Sequence, residues 1–187
     1  MMNPFATQFS TDPFAFEPSD RKLRMLSDTA GLYAGGKAFA ALLAQGDRVL
    51  YEMHITPVPE APGHLLHSVT VMYPGKVADE YFMTSGHFHE DAGASEVYYC
   101  LAGQGMLLVQ DQDNHCEAIA MESGTAAYIP PGFAHRTANT GDEPFVFLAV
   151  WPSDAGHDYG TIKETGFAKL VVEQNGRPQL VDNPSYK

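Results

Sequence analysis

GHFHEDAGASEVYYCLAG occupies residues 86–103, and GTAAYIPPGFAHRTAN occupies residues 124–139. The first stretch holds His87 and His89 two residues apart. Side chains at i and i+2 of an extended strand share a face, so this spacing predicts two imidazoles aimed at one point. Glu96 follows across the polar loop EDAGAS and opens the run EVYYCLAG. If the two strands pair as a hairpin, its carboxylate shares the interior of the imidazoles. In the second stretch Pro130-Pro131-Gly132 reverses the chain and sets His135 at the start of another strand. Three imidazoles and one carboxylate are a hard-to-borderline donor set, suited to one divalent ion: Fe(II), Mn(II), Zn(II), Ni(II) or Co(II).

Outward from these stretches the chain reads as all-β. RVLYEMHIT, SVTVMYP, EYFMT, EVYYCLAG, MLLVQD, AAYIPP, FVFLAVWP and KLVVEQN are short β-branched or aromatic runs, separated by turn signals such as Pro62-Gly63, Pro74-Gly75, Gly103, Asp113-Asn114, Gly124 and Gly141-Asp142. Many short strands at roughly regular spacing predict a β-sandwich or barrel. The best helical pattern is KAFAALLAQ at 37–45, with Phe39, Leu42 and Leu43 at helical spacing and Gly46 as its stop. Residues 1–20 are rich in Pro, Phe, Ser and Asp without a period, and are expected to form an arm that packs on the body or on a partner subunit. The expected division is therefore an arm with a short helix over 1–47, then a barrel over 48–187 that ends in a polar surface tail from Glu173.

The bulk composition narrows the function. A chain of 187 residues with 44% hydrophobic content can bury a proper core without disulfides. Its formal net charge of -12 argues against a nucleic-acid partner, because such affinity comes from clustered Lys and Arg. A small phosphorylated ligand is still allowed, since backbone N–H groups, hydroxyls and a metal can hold a phosphate locally. The two cysteines, Cys100 and Cys116, form no CxxC pair, and the first twenty residues have no secretory pattern. No run approaches the ~18 apolar residues of a membrane span. The expected location is the cytoplasm, with reduced thiols and no membrane partner.

The two stretches resemble the paired signatures of the cupin superfamily. The second signature, G-x5-P-x-G-x2-H-x3-N, is met at every position from Gly124 to Asn139. The first is met by His87, His89, Glu96 and Gly103, with a longer gap from His89 to Glu96 than in most cupins and Tyr81 where a Gly is usual. That longer gap is similar to the cupin-type (archaeal-type) phosphoglucose isomerases. So are YPGKVADEYFMTSGHFHE (73–90), EVYYCLAGQGMLLVQ (96–110), PPGFAHRTANTGDEPFVFLAVWPSDAGHDYGTI (130–162) and VDNPSYK (181–187). The resemblance runs from about residue 20 to the end of the chain and implies a cupin double-stranded β-helix, that is, a jelly-roll barrel.

It further implies a metal-dependent aldose–ketose isomerase that interconverts glucose 6-phosphate and fructose 6-phosphate by a cis-enediol or a hydride shift. The implied ligands are His87, His89, Glu96 and His135, with Fe(II) the first choice of ion. Glu96, His157 and Tyr98 are the implied catalytic groups. Tyr51, Thr70, Thr84, Gly86, Tyr98, Trp151 and Tyr159 are the implied sugar-phosphate contacts, with Trp151 standing where the family more often has Tyr. A homodimer is also implied. Two other classes remain open, an Fe(II) dioxygenase of the cupin type and a non-catalytic sugar-binding cupin. The residues themselves add that Tyr98 and Cys100 continue the face of Glu96, that Thr84 lies three residues before His87, and that Arg136 should point away from the metal. Cys100 is expected to be a small buried hydrophobe.

Overall fold

The computed structural model describes residues 2–11, 14–17 and 19–187. In chain order the strands are β1 (Gln8–Thr11), β2 (Phe14–Glu17), β3 (Asp20–Met25), β4 (Val49–Ile55), β5 (Leu65–Met72), β6 (Lys76–Val77), β7 (Glu80–Tyr81), β8 (Glu96–Ala102), β9 (Gln104–Gln110), β10 (Cys116–Glu122), β11 (Ala126–Ile129), β12 (Ala134–Asn139), β13 (Phe145–Pro152), β14 (Lys169–Gln174) and β15 (Arg177–Asp182). A 3-10 turn, Leu26–Thr29, and two short helices, α1 (Gly36–Leu43) and α2 (Tyr159–Thr165), complete the set. The fold is all-β, as the strand runs require.

A six-stranded antiparallel sheet in the order β11-β8-β13-β5-β4-β3 faces a three-stranded sheet, β10-β9-β12. The two stack as the halves of a jelly roll and are not hydrogen-bonded into one continuous cylinder. Strand alternation decides what lies between them. On β8, Glu96, Tyr98 and Cys100 are buried while Val97 and Tyr99 are exposed. Tyr98 pairs with Ala149 and Cys100 with Phe147, while Phe147 in turn pairs with Thr70, Thr70 with Met53, and Met72 with Tyr51. Paired residues share a face, so these side chains form one inner wall. Leu107, Val109, His135 and Thr137 supply the other wall from β9 and β12. The walls meet where the Thr137 hydroxyl lies 3.1 Å from Met72 Sδ and the Asn139 amide donates to the Met72 carbonyl at 2.9 Å.

A third sheet, β15-β14-β7-β6, lies behind the small sheet, where Leu170 and Val171 close on Leu108 and Ala138. Arg136 points into this rear layer, away from His135, as strand alternation requires. Burial pushes its guanidinium down to about 10. It stacks on Phe167 at 4.4 Å and donates to the Ser85 carbonyl at 2.6 Å. Nearby, burial lifts Glu80 to about 7, against the opposing effects of the Ala34 N–H and the Arg136 charge. An acid raised from 4.5 binds more protons folded than unfolded between pH 4.5 and 7, so stability falls as pH rises through that window. Against a Glu80→Gln variant, whose amide does not titrate, the wild type should lose about 3 kcal/mol between pH 5 and 8 in denaturant titrations. A pH-independent difference would mean that Glu80 stays ionised throughout.

Among the described residues of the first forty-seven, several segments join the body closely. β3 is the edge of the large sheet, paired with β4 from Asp20↔Ile55 to Met25↔Val49. The hairpin β1–β2 lays Phe16, with Phe9 and Phe14, on Val69, Val71 and Val146 of the outer sheet face. Helix α1 starts one residue earlier than the apolar spacing predicts and ends two earlier. Gly46, at φ 127, stands beyond it and returns its N–H to the Leu43 carbonyl. The tail from Glu173 is more regular than expected, since β15 returns along β14 from Arg177 to Asp182.

Candidate metal centre

His87 does not pair with the strand of Glu96, as a hairpin would need. It exchanges backbone hydrogen bonds with His135, N to O at 3.3 and 3.0 Å, and so extends the small sheet beyond β12. Glu96 reaches the same point from β8 across the sandwich. One donor atom from each of His87, His89, Glu96 and His135 lies within 4.8 Å of every other. Glu96 Oε2 is 3.2 Å from His89 Nε2 and 2.9 Å from His135 Nε2. His87 Nε2 is buried and has no hydrogen-bond partner, which is the state expected of an imidazole whose lone pair is meant for a cation.

The electrostatics suit the same use. Burial holds His87 well below the usual imidazole range, and the neighbouring His135, His157 and His89 reinforce it. Burial also resists ionisation of Glu96, but His135 and His89 outweigh it and leave the carboxylate below its ordinary value. Burial resists charge on His89 too, and the Glu96 contact reverses the balance, raising it. The neutral His87 and the ionised Glu96 are in the protonation state that metal ligation needs, and a binding cation would displace any proton held on His89. The residues present therefore fit a divalent ion.

Further rings line the approach. His157 lies 4.5 Å from His87, centroid to centroid, and stacks on Tyr159 at 5.7 Å. Tyr159 itself is 5.2 Å from the His87 ring. Trp151 is 6.1 Å from His157, and its Nε1 is buried without a partner. Tyr98 stands edge-on to His135 at 5.7 Å, and burial raises its hydroxyl well above the usual phenol range, so it stays protonated. Tyr51 Oη is 3.5 Å from Ser85 Oγ, and Thr70 is buried on the same inner wall.

Two positions carry structural duties beside any contact with a ligand. Thr84 Oγ1 accepts the Thr137 N–H at 3.0 Å and so joins the 84–87 segment to β12. Gly86 has φ 76, and a Cβ there would lie 2.8 Å from Phe167 and 3.0 Å from Arg136 Nε. Its missing side chain is filled by the protein's own rear layer. Ser85 escaped the sequence analysis because nothing in its spacing marks it. Helix α2, which carries Tyr159, escaped as well, although Asp158 as N-cap, accepting the Thr161 N–H, and Gly166 as terminator are visible signals.

Comparison with known proteins agrees with this geometry. The family model described as Glucose-6-phosphate isomerase matches residues 23–186. The Glucose-6-phosphate isomerase of Thermococcus litoralis is 45% identical over 184 residues, covering 98% of this chain and 97% of its own. That of Thermococcus onnurineus is 48% identical over 171 residues, covering 91% and 90%. Among solved structures, oxalate decarboxylase from Bacillus subtilis superposes with a TM-score of 0.46 at 23% identity, covering 57% of this chain and 26% of that one. With the family matched along nearly its whole length, the chain belongs to the cupin-type glucose-6-phosphate isomerases.

Proposed function

We propose that this protein interconverts glucose 6-phosphate and fructose 6-phosphate with one divalent ion held by His87, His89, Glu96 and His135. The observation that carries this proposal is the convergence of the four donors at one buried point, in a chain 45% identical over 184 residues to a glucose-6-phosphate isomerase. A bound divalent ion supplies Lewis-acid stabilisation of the oxygens at C1 and C2, worth several kcal/mol.

The protein's own groups do the rest. Glu96 is the base of the enediol route: its carboxylate takes the C2 proton and returns one at C1. A cation lowers its basicity, so this carboxylate serves as base only when free of the ion, and the hydride shift is the route that leaves it a ligand throughout. His157, which burial holds below the ordinary imidazole range, is neutral and suited to pass a proton between the O1 and O2 hydroxyls. Tyr98, held protonated, is a hydrogen-bond donor toward the sugar. Tyr51, Thr70, Thr84, Gly86, Trp151 and Tyr159 line the binding side, and the indole N–H of Trp151 offers an unused donor. Fe(II) is our proposed resident ion. A homodimer is proposed on the family resemblance, and a reducing cytoplasmic setting suits the free Cys100 and Cys116.

The test strips the protein with chelator, reloads it anaerobically with Fe(II), Mn(II) or Zn(II), and couples glucose 6-phosphate formation to a dehydrogenase. Activity should vanish on stripping and return with metal. Protein shown to hold an ion, yet inert on fructose 6-phosphate with every metal, would refute the proposal. In D2O, deuterium at C2 of the product marks the enediol route.

A further inference from the structure

A cavity of about 460 Å³ opens beside the metal centre, between the 3-10 turn, the 85–86 segment and α2. Arg24, Ser27, Ser85, Gly86, Tyr159 and Lys163 line it. Gly86 directly precedes His87, and the Tyr159 ring is 5.2 Å from the His87 ring, so the inner end of this cavity is the outer shell of the metal centre. Arg24 pairs across β3–β4 with Tyr51, which puts the two side chains on one face, and Tyr51 reaches Ser85 at 3.5 Å. A polar path thus runs from Arg24 through Tyr51 and Ser85 toward His87.

Two cations, Arg24 and Lys163, stand on the wall of this cavity. The chain has 23 acidic and 11 basic residues. Among the described residues only Arg21, Lys76 and Lys169 of the Lys and Arg side chains pair with a carboxylate, so Arg24 and Lys163, like the rest, make no ion pair and keep their charge for a ligand at this wall. Asp28 lies on the same wall, but its carboxylate is engaged by the Met25 N–H at 2.8 Å. An acidic molecule repels a dianion at long range, and its mouth must overcome that field.

We propose that this cavity is the mouth through which the anionic substrate enters, and that Arg24 and Lys163 make the site select a phosphorylated sugar over an uncharged one. The proposal rests on the sugar-phosphate reading above and deepens it. Neither residue takes part in the proton transfers, so their role lies in capture and specificity. Charges at a rim act on association rate and salt dependence more than on the chemical step.

The experiment compares wild type with Arg24→Gln, Lys163→Gln, the double variant and Lys37→Gln, the last an exposed cation on α1 that controls for net charge. Kinetics on fructose 6-phosphate are run from low to high salt. The double variant should lose about tenfold in kcat/KM at low salt, with the loss falling on KM and with a flattened salt dependence. Lys37→Gln should behave as wild type. Binding is followed separately by the fluorescence of Trp151, the single tryptophan, titrated with inorganic phosphate, glucose 6-phosphate and glucose. The double variant should weaken for both phosphates and not for glucose. Wild-type affinity and wild-type salt dependence in the double variant would overturn the proposal. Wild-type protein that binds glucose 6-phosphate through these cations but does not isomerise it would support the mouth and remove the isomerase assignment instead.

Discussion

His135→Ala is expected to hold no divalent ion at micromolar concentrations and to convert no fructose 6-phosphate above background. The side chain is 1% exposed, and its Nε2 sits 2.9 Å from Glu96 Oε2. Alanine leaves two imidazoles and a carboxylate around a gap that solvent enters only by loosening the sandwich. Losing several kcal/mol of charge stabilisation corresponds to about three orders of magnitude in rate or more. The backbone bonds from His135 to His87 survive the substitution, so the strand should stay in place and the circular dichroism spectrum should match wild type. Metal content after dialysis, measured beside the coupled assay, decides the matter. A folded, metal-loaded and active His135→Ala protein would mean that the four donors are not the centre.

Gly103→Ala should be the most damaging small substitution in the scaffold, and Gly124→Ala should be mild. Both glycines belong to the sequence signatures, and both have positive φ, 72 and 94. Their surroundings differ. A Cβ on Gly103 would lie 2.2 Å from the Pro144 carbonyl oxygen and 3.0 Å from the Phe145 Cα, both backbone atoms that cannot swing aside. A Cβ on Gly124 would meet nothing within 4 Å. Gly124→Ala therefore carries only the left-handed backbone cost, about 1–2 kcal/mol. Gly103→Ala adds overpacking, for a total of about 3–5 kcal/mol. In a chain of this size that lowers the thermal midpoint by about 10 °C, against a few degrees for Gly124→Ala. Equal midpoints for the two variants would refute the packing argument.

What the sequence disclosed follows from the range of the forces involved. Alternation along EVYYCLAG is a local property, and it correctly turned Glu96, Tyr98 and Cys100 inward. The positions of His87, His89 and His135 were legible because their spacing and the Pro-Pro-Gly turn are local too. The partner of the HxH segment was not, because the pairing of His87 with His135 joins residues 48 positions apart, and no short-range pattern encodes it. Strand β10, CEAIAME, went unseen because only Met121 in it is buried and Ala and Glu dominate it, leaving little β-branched signal. Thr84 and Gly86 look like ligand contacts in sequence. Three dimensions add that, beside any such contact, Thr84 ties two segments together and Gly86 leaves room for Arg136 and Phe167.

The four donors come from opposite walls: Glu96 from the large sheet, and His87, His89 and His135 from the small sheet and its extension. An ion at that point is a crosslink through the middle of the sandwich. Whatever binds only the folded state stabilises it in proportion to the logarithm of its concentration over its dissociation constant. Ion release and separation of the two walls are then one event seen from two sides. The protein's heat tolerance becomes a reading of cellular metal supply, and a chain starved of its ion loses durability together with its chemistry.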